Sequence, residues 1–122
     1  MADDLGRDPD CLFCRIVAGE IPSDRVFEDD LVIVFRDVNP RAPTHLLAIP
    51  RRHLPSIHAL TDSREDRALL AALFAVLRRA ADEAGLGNGY RVVTNIGAAG
   101  GQTVPHLHLH LLGGRSMSWP PG

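Results

Sequence analysis

Residues 105–112 read Pro-His-Leu-His-Leu-His-Leu-Leu, so three of the chain's six histidines alternate with leucines. A period of two belongs to an extended strand, whose successive side chains point to opposite faces. His106, His108 and His110 therefore share one face, while Leu107, Leu109 and Leu111 enter the core. Imidazole serves as base, nucleophile or metal ligand near neutral pH without extreme tuning. Three adjacent imidazoles without a function would cost repeated desolvation. The chemistry of the chain is placed on this strand.

A length of 122 residues allows one domain with a modest core. Residues 1–10 are expected to be a flexible acidic start and residues 11–122 a single domain. A hydrophobic fraction of 45%, a charged fraction of 23% and a net charge of −2 describe an ordinary soluble globule. That balance gives no global attraction to nucleic acid or to an anionic membrane, so neither is expected as a partner and any phosphate binding must be local. The start lacks the basic and apolar regions of a signal peptide. The longest apolar stretch, residues 68–77, falls far short of the roughly 20 residues of a membrane helix. A cytoplasmic location is expected, with Cys11 and Cys14 reduced.

Ahead of the histidines, residues 10–19 read as a short helix carrying Leu12, Phe13, Ile16 and Val17 and ended by Gly19 and Pro22. Residues 26–28 and 31–37 read as a hairpin around Asp29-Asp30, and residues 46–49 as a third strand stopped by Pro50. A long helix is predicted from an Asp62 cap with Glu65 three residues on, its apolar stripe running Leu69, Leu70, Leu73, Val76, Leu77, Ala80, and Gly85 closing it. Residues 90–95 give a fourth strand and residues 104–112 a fifth. The glycine-rich residues 97–101 form a loop exposing backbone N–H groups, as an anion cradle requires. The expected class is α+β: a five-stranded antiparallel sheet with one long helix and a short N-terminal helix. The long helix should cover the leucine side and leave the histidine face at a cleft.

The run His106-Leu107-His108-Leu109-His110-Leu111-Leu112 matches the His-φ-His-φ-His-φ-φ signature, φ being apolar, of the histidine triad (HIT) superfamily. Pro43-Thr44-His45, Ile49-Pro50-Arg51-Arg52-His53, Asn95, Gly100-Gly101-Gln102-Thr103-Val104 and the tail from Gly113 to Gly122 resemble its nucleotide-binding branch. The resemblance implies a HIT-like fold and a purine nucleoside 5′-phosphoramidase that works through a covalent nucleotidyl-histidine. His108, the middle histidine, would be the nucleophile; His110 would bind the phosphate, and His106 and His45 would complete the catalytic group. The implied nucleotide site adds Asn95, Gly101, Gln102 and Thr103 at the phosphate, Asp37 at the ribose hydroxyls, and Leu12, Phe13, Ile16 and Phe35 around the base. Substrates would be AMP or GMP phosphoramidates, or adenylates. Pro105 departs from the pattern, since relatives often carry a non-proline residue there.

The pair Cys11-Leu12-Phe13-Cys14 can be read as a redox dithiol, as two buried thiols or as half of a zinc site. The strand and tryptophan of a thioredoxin-like setting are missing, and histidines are available to complete a closed tetrahedral site. Bacterial-type relatives with this cysteine pair imply His53 and His106 as the remaining ligands of a structural zinc. No organic cofactor is expected. A small domain with one covering helix leaves edges and apolar surface exposed, which favours a two-fold homodimer. The resemblance implies that Trp119 of one subunit then reaches toward the other's site. Two other functions fit the same residues: dinucleoside polyphosphate hydrolysis, and a non-catalytic nucleotide-binding or interaction module.

Overall fold

The structure, a computed structural model, describes residues 7–122. Its elements are α1 (Leu12–Val17), β1 (Arg25–Glu28), β2 (Val32–Arg36), β3 (Thr44–Pro50), α2 (Arg64–Glu83), β4 (Tyr90–Val93) and β5 (Leu109–Gly113), with single 3-10 turns at Ile57–Ala59 and Ala98–Gly100. The strands form one antiparallel sheet in the order β1-β2-β3-β5-β4. This is the α+β arrangement of one long and one short helix on a five-stranded sheet.

Strand alternation sorts the sheet into two faces. Val32, Val34, Leu46, Ala48, Leu107, Leu109 and Leu111 pack against the stripe Leu69, Leu73, Val76, Leu77 and Ala80 of α2. On the other face Ile33, Phe35, Leu47 and Ile49 meet Phe13, Ile16 and Val17 of α1. The long helix thus covers the leucine side, and α1 roofs only part of the histidine side.

Element ends differ from the sequence reading for local reasons. The helix α1 starts at Leu12 rather than Asp10, because Cys11 is the cap and its Sγ accepts from the Cys14 N–H at 3.4 Å. The α2 cap is Ser63, not Asp62: the Ser63 hydroxyl accepts from the Asp66 N–H, and Asp66 accepts in return from the Thr61 N–H and hydroxyl. In the hairpin, Asp29 Oδ1 accepts from the Leu31 and Val32 N–H groups, so β2 opens only at Val32. The third strand is longer than residues 46–49 and includes His45 and Pro50. The fourth stops at Val93, where the Thr94 hydroxyl turns to donate to the His108 carbonyl at 2.8 Å.

The fifth strand is the largest correction. Ladder pairing starts at Leu109, not at residue 104. Pro105 has no N–H to give, the His106 N–H closes on the Val104 carbonyl, and the Leu107 N–H donates to Leu54 O at 2.6 Å. Residues 104–108 are therefore tied to the segment after β3, yet the alternation of faces persists, with His106 and Leu107 both fully buried.

Candidate active site and metal centre

Two hydrogen bonds decide which nitrogens of His108, His45 and, through His45, His110 carry protons. A carbonyl can only accept, so His108 Nδ1, 2.7 Å from the His106 carbonyl, is the protonated nitrogen, and a neutral His108 keeps its lone pair on Nε2. The Arg41 N–H donates to His45 Nδ1 at 3.0 Å, so a neutral His45 carries its proton on Nε2. That nitrogen lies 2.9 Å from His110 Nδ1 and 3.4 Å from Asp37 Oδ2. His110 Nδ1 must then accept, which leaves the His110 proton on Nε2. Burial lowers the pKa of His45, and it lowers that of His110 to about 4 with help from the neighbouring His108 and His45. Both rings are neutral near pH 7, as the hydrogen-bond chain requires.

A cavity of about 330 Å³ opens beside these rings. It is lined by Leu12, Phe13, Ile16, Phe35, Asp37, Thr103, His108 and His110 among others, and so gathers most of the pocket that the sequence assigns. Phe13 packs edge-on against both Phe35 and His108, with centroids 5.8 and 5.0 Å apart, which joins the apolar end to the imidazole end. Ladder register explains the grouping: Phe35 pairs with Leu47, and Leu47 with His110, across β2, β3 and β5 on one face. Leu47 was findable by that alternation. Ile21, Pro22 and Ser23 also line the cavity, but they sit in the turn after α1, where no periodic signal marks them.

The glycine-rich loop is built differently from an open cradle. The Gly100 and Gln102 N–H groups donate to the Gly97 carbonyl, and the Gly101 N–H to Ala98. The Gln102 side chain is spent on the loop itself, accepting from the Gly97 N–H and donating to Pro55 and Val104 carbonyls. The donors expected from Gly101 and Gln102 are thus committed within the protein. Asn95, Gly101 and Gln102 are not among the cavity-lining residues, and Trp119 is 83% exposed, away from it. Thr103 does line the cavity, and among the described residues neither its N–H nor its hydroxyl has a protein partner.

Behind the triad, Cys11, Cys14, His53 and His106 bring four ligand atoms within 4.8 Å of one another. Three elements supply them: α1 with its cap, the segment after β3, and the approach to β5. His106 donates from Nε2 to the Pro50 carbonyl at 3.0 Å, so its Nδ1 lone pair faces the cluster. Nδ1 of His106 lies 3.4 and 3.5 Å from the two sulfurs and 3.3 Å from His53 Nδ1, and His53 Nδ1 lies 3.2 Å from Cys14 Sγ. Zinc bond lengths in a tetrahedron give edges of about 3.5 Å for S···N and about 3.3 Å for N···N. The four residues fit and could hold a metal ion. Burial, with Cys11 alongside, pushes the Cys14 thiol up to about 11. A cation among the four donors offsets this, since a coordinating thiol is deprotonated outright.

Asp37, His45 and His110 also converge. Their chemistry is the opposite, because the Arg41 N–H occupies His45 Nδ1 and keeps the proton on the nitrogen a metal would need. This cluster is a hydrogen-bond chain. His58 lies exposed on the Ile57–Ala59 turn. The expectation of a flexible start falls partly on residues 1–6, outside the described ones; within the rest, the Asp8 N–H donates to Cys14 Sγ at 3.3 Å. No described helix is long and apolar enough to cross a membrane.

The family model for the HIT domain matches residues 18–117. A HIT-like protein of Synechococcus elongatus, itself uncharacterised, is 52% identical over 113 residues, covering 93% of this chain and 97% of its own. Among solved structures, a HIT family hydrolase from Legionella pneumophila superposes with a TM-score of 0.89 at 51% identity, over 93% of this chain and 100% of that one. A histidine triad protein from Clostridium difficile gives 0.85 at 41% identity, over 91% and 96%. With the triad on β5 and its approach, the sheet order and these likenesses in agreement, the chain belongs to the HIT domain family.

Proposed function

We propose that the protein is a purine nucleoside 5′-phosphoramidase acting through a nucleotidyl group on His108. The observation that carries this reading is the 2.7 Å bond from His108 Nδ1–H to the His106 carbonyl, which leaves the Nε2 lone pair for a ligand in the cavity. In the first step His108 Nε2 attacks the α-phosphorus, an N–P bond forms, and the substrate's P–N bond breaks, the amine leaving with a proton taken up from solvent. In the second, water attacks the same phosphorus and gives up a proton to solvent, the His108–P bond breaks, and a nucleoside monophosphate leaves with the neutral imidazole restored. His110 Nε2–H donates to a phosphoryl oxygen, and the unpartnered Thr103 N–H and hydroxyl are further donors at the cavity wall. Asp37, an acceptor-only carboxylate at the rim, suits two ribose hydroxyls, and Phe13, Ile16 and Phe35 offer an apolar slot to the base. Apolar walls discriminate purines weakly, so adenine and guanine should both be accepted.

Cys11, Cys14, His53 and His106 would hold a structural zinc, which would tie α1 to the approach to β5. The functional unit is a two-fold homodimer. Edge strand β4 is open, and Phe74 of α2, Tyr90 of β4 and Ile96 just after it are 51%, 43% and 41% exposed, apolar surface that a second copy would cover.

The test is to mix the protein with a phosphorus-labelled adenosine 5′-phosphoramidate and quench. Acid-labile label on His108, absent from His108→Ala, is the expected result. Binding with no label and no AMP released would instead identify a nucleotide-binding module.

A further inference from the structure

The C-terminal segment after β5 reaches back to the triad through backbone groups rather than through the cavity. Arg115 Nε donates to the Arg41 carbonyl at 2.9 Å. The Arg41 N–H donates to His45 Nδ1 at 3.0 Å, and His45 Nε2 meets His110 Nδ1 at 2.9 Å. Residue 41 is thereby held on both sides of its Cα, from the tail and from the buried imidazole. Gly114 presses the tail onto the same turn: it has a φ of +89°, and a Cβ there would lie 2.9 Å from Pro43 Cβ. The Arg41 side chain itself is exposed and reaches His45 only through its charge, so the hydrogen bond that the turn sends inward comes from its peptide.

We infer that Arg115 is a positioning residue, acting through the Arg41 peptide and His45 to fix which ring nitrogen of His110 carries the proton. Once the Arg41 N–H no longer faces Nδ1, His45 gains access to the Nδ1–H tautomer. Its Nε2 then accepts, His110 donates from Nδ1, and a lone pair replaces the N–H that His110 Nε2 turns to the cavity. A lone pair against a phosphoryl oxygen repels where the N–H stabilises. Asp37 Oδ2, 3.4 Å from His45 Nε2, keeps part of the original tautomer even without Arg41, so the effect is graded. The catalytic consequence rests on the phosphoramidase reading, whereas the tautomer assignment does not.

Nitrogen-15 NMR of the histidine rings in the full chain near pH 7 tests both parts. The wild-type protein should show the proton on Nε2 of both His45 and His110. If wild-type His110 carries it on Nδ1, the inference is overturned, whether or not any phosphoramidate is hydrolysed. Arg115→Met should shift His110 toward a mixture of tautomers and lower kcat about tenfold, with KM within about twofold. Arg115→Lys, which can still donate to the Arg41 carbonyl, should restore most of both. A wild-type ring pattern together with wild-type kcat in Arg115→Met would equally overturn it.

Discussion

His108 is held at two atoms: its ring by the His106 carbonyl, and its own carbonyl by the Thr94 hydroxyl at 2.8 Å. Fixing ring and backbone together aims Nε2 without asking the ligand to do so. His108→Ala should therefore lose turnover by a factor on the order of 10³ or more while folding normally and still binding AMP. Single-turnover hydrolysis and calorimetric AMP binding check the two halves. At this scale the sequence was most legible. The alternation of histidine and leucine gave the faces correctly, because a two-residue period survives the bend at residues 104–106. The proton positions were not legible, since they depend on the Arg41 peptide and the Pro50 carbonyl, groups with no signature in side-chain type. Nor was the internal closure of the glycine loop, for glycine marks conformational freedom and not where its N–H groups go.

Two elements meet where Arg52 binds Asp66, Nη1 to Oδ1 at 2.8 Å, tying the segment that carries His53 to the first turn of α2. That ion pair and the Thr61 donors hold the Asp66 carboxyl down at about 2, from an ordinary value of 3.8. The folded protein thus binds fewer protons than the unfolded chain between these values. The stabilisation is complete above about pH 4 and is lost as pH falls toward about 2. Asp66→Asn should melt below wild type at pH 7, with the gap closing across that window; melts at a series of pH values check it. The cluster of Cys11, Cys14, His53 and His106 joins that same His53 segment to α1 and to the approach to β5. Cys14→Ser should lower both zinc content and melting temperature, and chelation should destabilise wild type but not the variant. Substoichiometric zinc in protein purified without chelator, with melting unmoved by chelation, would favour two buried thiols. Strand and helix identities were readable from period, but their ends were not, because side-chain caps at Ser63, Asp29 and Thr94 decided them.

For the whole molecule, the sheet order explains what the surface still needs. α2 and α1 cover parts of the two faces, but β4 keeps one free edge, flanked by Phe74 and Tyr90. Sedimentation should give twice the 13.2 kDa chain mass at micromolar concentration, and Phe74→Glu should return it to the monomer. A wild-type monomer would contradict the dimer. Sequence pointed to exposed edges in general, but which strand lay at the rim depends on pairing across distant segments.

The histidine strand is not at a rim: β5 lies between β3 and β4, paired on both sides, with Leu109 and Leu111 fully buried beneath it. Amide hydrogens there should be among the last in the protein to exchange with solvent, leaving only through global unfolding, whereas those of residues 95–103 should exchange by local opening. His108 sits at the threshold of that strand, one residue before its ladder begins, and is anchored to the part of the fold expected to open last. Under the proposed function, the motion that admits a ligand is expected in α1 and the turn after it, which wall the cavity, so turnover should respond to mobility there while the His108 ring stays still.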